Sequence, residues 1–217
     1  MNRSSAILKP LFIVGAGGMG RELVDLVDAI NSQSPQWEIT GLVSDSEPDA
    51  DLLARLGIDW LCTLAESRNL DRMAFVVGLG SGADRQRIAD QLARDHVLAT
   101  LIHPNATIGR DVLMGEGTVV CSHVSITTNI RIGRLGLINR NSTVGHDCEL
   151  GVAVTINPGV NISGNVTIGD QATIGTGASI IQGIGIGTGA VVGAGAAVTR
   201  DVQASSTVVG VPAKRIH

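Results

Sequence analysis

The chain has 217 residues, 17% of them charged, and a net charge of −4, so it carries no basic footprint and no nucleic-acid partner is expected. It has no Tyr, and its four aromatics, Phe12, Trp37, Trp60 and Phe75, all precede residue 100, which leaves the second half without base-stacking platforms. Cys62, Cys121 and Cys148 are widely spaced, with no CxxC and no apolar secretory segment at the start; neither disulfides nor a metal is expected, and the expected setting is a reducing cytoplasm.

Residues 11 to 14, Leu-Phe-Ile-Val, predict a buried strand, followed by Gly15-Ala16-Gly17-Gly18-Met19-Gly20 and a helix through about Ile30. Strand, GxGxxG and helix in that order place backbone N–H groups and a helix N-terminus where they can hold a phosphate. A second strand is predicted from Glu38 to Val43, with Asp45 just past its end, near where an acidic residue meets a ribose hydroxyl. A third, Ala74 to Val77, runs into Gly78-Leu79-Gly80-Ser81-Gly82 and an amphipathic helix from Ala83 to about Asp95. The glycine motif alone admits a ligand-free structural turn, NAD(P), or a mononucleotide or nucleotide-sugar. About 95 residues hold one mononucleotide half, whereas a dinucleotide usually spans two. Residues 1–100 are therefore expected to form an α/β half-Rossmann domain that grips a nucleotide diphosphate, with Gly15, Gly17, Gly18, Met19, Gly20, Asp45 and Gly78 as its candidate substrate contacts.

From Ile102 to Val198 every sixth residue is Ile, Val, Leu or Met, at seventeen positions without a slip. A period of six fits neither a helix nor a long alternating strand; it fits a short strand and a corner, repeated around a coil. The second residue of most hexads is Gly, or Asn at 139 and 157, residue types that tolerate positive φ at a tight corner. The fifth is small or β-branched at most steps, as in Val112, Thr118, Ser142 and Ala172. Three hexads make one triangular coil of 18 residues, buried only against its neighbours. Residues 171 to 199 carry no charge, but eight glycines and an unbroken register favour a buried coil over a membrane span. Residues 101–217 thus read as an all-β parallel helix, and the pattern resembles the hexapeptide-repeat acyltransferases, a resemblance that implies left-handed coiling.

Of the five histidines, at 96, 103, 123, 146 and 217, only His146 has a carboxylate, Asp147, as its immediate neighbour at a hexad corner. Corner side chains point outward. An imidazole exchanges protons near neutrality, and an adjacent carboxylate can fix its tautomer and raise its basicity. The alternative at this stage is an ordinary surface histidine at a turn. His103 and His123 read as structural, His96 and His217 as solvated, and Cys148 as a small core residue.

The order of half-Rossmann domain, Leu101-Ile102-His103-Pro104 junction, Gly145-His146-Asp147-Cys148, Ser163-Gly164-Asn165-Val166-Thr167-Ile168-Gly169 and closing Gly210-Val211-Pro212-Ala213-Lys214 resembles the PglD/NeuD family over nearly the whole chain. Those proteins are bacterial acetyltransferases acting on nucleotide-linked amino sugars or sialic acid. The resemblance implies His146 as general base, Asp147 as the acid that raises its basicity, and contacts to acetyl-CoA from Gly164, Thr155, Thr176 and Ala194. It also implies a nucleotide-sugar bound by the glycine loops and Asp45, and a homotrimer with the acetyl-CoA cleft between subunits. Two positions depart from the family: Met19 stands where many relatives have His or an aromatic residue, and Thr155 where some have a second histidine. The expected activity is direct acetyl transfer to the amine of a UDP- or GDP-linked 4-amino-4,6-dideoxy sugar. The alternatives are O-acetylation of a sialic-acid-type acceptor, an NAD(P)-linked enzyme with a β-helical oligomerisation module, and a non-catalytic scaffold.

Overall fold

A computed structural model describes residues 8–216. The chain divides into two compact units, one comprising the sequence up to Leu79 together with Arg87–Ala99, the other Gly80–Gln86 together with the chain from Thr100 onward.

The first unit is a five-stranded parallel sheet in the order β3-β2-β1-β4-β5. Its strands are β1 (Lys9–Val14), β2 (Trp37–Val43), β3 (Trp60–Cys62), β4 (Ala74–Val77) and β5 (Val97–Leu98). Leu11 to Val14 are fully enclosed, as expected of an apolar run at the centre of a parallel sheet. Helix α1 (Gly18–Gln33) buries Leu23, Val24, Leu26, Val27 and Ile30, and the spacing of these residues supplies one apolar stripe. Helix α2 (Ala50–Leu56) is capped by the Asp49 carboxylate, which accepts from the Leu52 N–H, and ends at Gly57 in left-handed geometry, φ 65°. Helix α3 (Gly82–Leu92) follows β4.

His96 corrects the sequence reading. It is 1% exposed, not solvated; its ring stands edge-on to Phe12 at 4.9 Å and Nε2 lies 2.9 Å from the Ser67 carbonyl. His217 lies outside the described residues.

The second unit is a left-handed β-helix. Its two- and three-residue strands stack into three sheets of six, five and eight strands. Residue i pairs with i+18: Ser125 with Thr143 and Ile126 with Val144, which pair in turn with Asn161 and Ile162. The hexad aliphatics from Val120 to Val198 are each 4% exposed or less, and each such side chain contributes roughly 1.5–3 kcal/mol on burial. The first three do not share this environment. Ile102 is 38% exposed and Ile108 and Met114 are only partly covered, because no coil precedes theirs. Two polar interior residues, Thr118 and Ser142, satisfy their hydroxyls on the corner carbonyls of Gly115 (2.7 Å) and Asn157 (3.0 Å). After Val198 the inward sites become Val202 and Val208, and the pairing step shortens, with Val191 on Thr207 and Ile186 on Val202.

The corner glycines have a different cause from the one expected. Positive φ falls at the fourth residue of the hexad, as in Asn129 (56°), Asn141 (59°), Asp147 (60°) and Asn165 (56°). The second residue is Gly because the next coil leaves no space: a Cβ on Gly133 would sit 2.6 Å from the Gly151 backbone, and one on Gly145 at 2.6 Å from Ser163 and Gly164.

Candidate active site

His146 and Asp147 form the corner that follows the Thr143–Val144 strand of the six-stranded sheet. Both side chains are about half exposed, 53% and 48%. The left-handed conformation of Asp147, which an Asp accepts at modest cost, accompanies a carboxylate turned back toward the preceding side chain. Its Oδ2 lies 2.6 Å from His146 Nδ1. Its Oδ1 accepts a 2.6 Å hydrogen bond from Asn129 Nδ2, one coil earlier. These two contacts, His146 first, hold the Asp147 carboxyl below the usual carboxylate range. An ionised carboxylate can only accept, so the ring proton is placed on Nδ1 and the lone pair on Nε2.

The next coil supplies the floor. Gly164 is buried, and a Cβ there would lie 2.5 Å from the imidazole Cε1 and Nε2 and 2.9 Å from Nδ1. The ring therefore lies across the bare Cα, while the Asn165 N–H bonds the His146 carbonyl at 2.7 Å. Cys148 is fully buried and its thiol donates to the Ser163 carbonyl at 3.2 Å; burial pushes its pKa up, which disfavours a thiolate. An exposed imidazole with Nδ1 bound to a carboxylate and Nε2 without a hydrogen bond among the described residues can accept a proton from a group brought to it.

The other expected site residues separate into groups. In the first unit Gly17 and Gly18 are exposed and a Cβ on either would meet nothing within 4 Å, but Gly15, Gly20 and Gly78 close the packing of α1 on the sheet: a Cβ on Gly20 would meet the Gly15 carbonyl and one on Gly78 the Gly20 Cα at 2.6 Å. Met19 is half-buried and Asp45 is exposed, its carboxylate accepting from the Leu64 N–H at 2.9 Å. A cavity of about 220 Å³ lies at the carboxyl ends of these strands, lined among others by Ala16, Gly17, Arg21, Ser44 and Glu47. This is where ligands bind in open α/β sheets. Arg21, whose Nη1 donates to the Ala16 carbonyl at 3.0 Å, was not singled out from sequence, although it directly follows the glycine motif.

In the second unit Thr176 and Ala194 are exposed and one coil apart. They follow strands of the eight-stranded sheet and so occupy a different edge from His146 and Gly164. Thr155 needs correction: it is 2% exposed, and its hydroxyl donates to the Gly80 carbonyl and accepts from Arg85 Nη1, both at 2.9 Å. An oxygen engaged twice and covered has no face left for a thioester. Arg85, also 2% exposed, donates further to the carbonyls of Leu135, Ala153 and Val154; burial lowers its pKa to about 10. His103 Nδ1 accepts from the Asn105 N–H at 3.0 Å. Among the described residues no group of three or more His, Cys, Asp or Glu could hold a metal ion, and no helix is long and apolar enough to cross a membrane.

Comparison with known proteins gives the same family for both halves. Residues 10–92 match the family described as PglD N-terminal domain. A GDP-perosamine N-acetyltransferase of Escherichia coli O157:H7 is 34% identical over 148 residues, 66% of this chain and 65% of that protein, so the match spans just under two thirds of the relative's length. Among solved structures, PerB from Caulobacter crescentus in complex with CoA and GDP-perosamine is 31% identical, with 97% and 99% of the two chains covered and a TM-score of 0.86. A GDP-perosamine N-acetyltransferase of Caulobacter crescentus has also been solved with CoA and GDP-perosamine after replacement of one histidine by Asn or Ala. The acetyltransferase domain of PglB from Neisseria gonorrhoeae FA1090, in complex with acetyl coenzyme A, is 30% identical, covers 97% and 100%, and has a TM-score of 0.88. The chain belongs to the PglD/NeuD-type family of sugar acetyltransferases.

Proposed function

We propose that the protein is an acetyl-CoA-dependent N-acetyltransferase whose acceptor is the amine of a nucleotide-linked 4-amino-4,6-dideoxy sugar, with His146 as general base. The observation that carries this reading is the corner at His146, where Asp147 Oδ2 sits 2.6 Å from Nδ1 and Nε2 is left for a substrate. The amine attacks the thioester carbonyl carbon, Nε2 takes the proton the amine loses, and the carbon–sulfur bond breaks. The imidazolium, held by Asp147, then returns the proton to the departing CoA sulfur, and no residue of the chain is acylated. The glycine loop and the cavity beside Gly17 and Arg21 hold the nucleotide diphosphate. Gly164 contributes to the acetyl-CoA path. Thr176 and Ala194 lie on a different edge of the β-helix, so for both sets to meet one acetyl-CoA a second copy must supply one of them. This supports an oligomer, and the family resemblance makes that oligomer a homotrimer.

Relatives named for GDP-perosamine make a GDP-linked sugar the first acceptor to test. The assay follows CoA thiol release with GDP- and UDP-linked 4-amino sugars and with sialic acid. Turnover on a nucleotide amino sugar that is lost in a folded His146→Ala variant is the expected result. Turnover on sialic acid alone would replace the amine by a hydroxyl acceptor, and turnover on none of them would refute the reading.

A further inference from the structure

The carboxylate that orients the base is itself held. Asp147 has two oxygens, and only one faces His146. The other accepts from Asn129 Nδ2 at 2.6 Å, a close contact for an amide N–H, whose bonds to oxygen ordinarily span about 2.7–3.2 Å. Asn129 precedes Asp147 by 18 residues, one full turn of the coil, and occupies the same left-handed corner position, φ 56° against 60°. Its own N–H bonds the Arg110 carbonyl at 3.2 Å, and the Asp147 N–H bonds the carbonyl of the neighbouring Thr128, also at 3.2 Å. The coil ladder thereby fixes both backbones before the side chains meet.

An Asp side chain at an exposed corner is free to turn about χ1 and χ2. A single bond to a half-exposed imidazole leaves that freedom largely intact, whereas a second bond on the opposite oxygen removes it. We infer that Asn129 is a positioning residue for the transfer reaction: it pins the Asp147 carboxylate, which in turn keeps the His146 proton on Nδ1 and the lone pair on Nε2. Asn suits the place on two counts. It is tolerated at positive φ, and its amide offers a donor where Asp, the residue at the same position in the coil before (Asp111, φ 54°), would bring a second negative charge. The inference rests on the proposed role of His146.

The test uses Asn129→Gly, which accepts positive φ but deletes the amide, and Asn129→Asp, which keeps the shape but removes the donor. Both are expected to lower kcat roughly tenfold, short of the ~10²–10⁴ supplied by a general base, with KM for acetyl-CoA and for the sugar unchanged. Independently of turnover, the 15N shifts of the neutral His146 ring, assigned by comparison with His146→Ala, should move from the Nδ1–H tautomer toward a mixture in both variants. Ring shifts unmoved in both, or a kcat equal to that of the unaltered protein, would overturn the inference. If His146→Ala keeps its turnover, the base assignment fails instead, and the ring shifts still decide whether Asn129 holds the carboxylate.

Discussion

Replacing Gly164 by Ala tests whether the imidazole position matters. The added Cβ would lie 2.5 Å from both Cε1 and Nε2 of His146, against an ordinary carbon contact of about 3.5–4.0 Å. The ring must retreat by about 1 Å or more. It is the half-exposed side chain and not the buried backbone that gives way, because Gly164 does not adopt positive φ and Ala strains nothing there. A displacement of about 1 Å at a reacting group can cost on the order of 10²-fold in rate. The expected result is therefore a loss of that order in kcat/KM, measured by CoA release, with a melting temperature close to that of the unaltered protein. Gly145→Ala should behave in the opposite way, since its Cβ would strike the Ser163 and Gly164 backbone and lower stability first. Introduced into His146→Ala, Gly164→Ala should remove far less activity than it does in the unaltered protein, because two changes acting chiefly through one ring are not additive. Full activity of Gly164→Ala, or an equal additional loss in the double variant, would refute the argument.

Arg85→Met leaves the Leu135, Ala153 and Val154 carbonyls without this donor in a buried place; a loss on the order of 3 kcal/mol is expected, and an unchanged denaturation midpoint would contradict it. Ile156, 0% exposed in the middle of the coil stack, should cost about 2–5 kcal/mol when cut to Ala, read from urea unfolding; a loss below 1 kcal/mol would mean that the stack collapses around the gap. Asp147 has a folded pKa held below its ordinary value by His146 and Asn129. A depressed carboxyl contributes stability that is present above the unfolded value of ~3.9 and lost as pH falls through the folded one. The share of the melting difference between the unaltered protein and Asp147→Asn that this carboxylate supplies should thus shrink as pH falls below about 4, and a difference that persists unchanged in acid would refute it.

The architecture was legible because one number, the period of six, encodes both the inward aliphatic and the corner. What the period could not give was which atoms approach at that corner. The glycines at 133 and 145 looked like conformational requirements, but they are spaces left for the adjacent coil, and the conformational requirement sits two residues later on Asn, Asp and Gly. His96 follows Arg94 and Asp95 and has the company of a surface residue; it is buried because the turn after α3 brings its ring against Phe12, 84 residues away in sequence. Thr155 occupies the outward strand position of its hexad, and its burial comes from Arg85 and Gly80, 70 and 75 residues earlier. No periodicity encodes such pairings.

The corner at His146 is more legible than these for a geometric reason. In a coil of 18 residues, positions i and i±18 are neighbours one strand spacing apart, about 4.8 Å, so the surroundings of any corner residue can be written down from the sequence. At the third hexad position of this corner the chain reads Thr128, His146, Gly164 and Gln182, and at the fourth Asn129, Asp147, Asn165 and Gly183. His146 thus has Thr128 below and Gly164 above, and Asp147 lies between two amides. The bare glycine above is what lets the ring fold over the next coil, and the amide below is what holds the carboxylate. The repeat register names these neighbours without coordinates; that the ring lies over Gly164 and not Thr128, and that Asp147 takes Asn129 and not Asn165, required them.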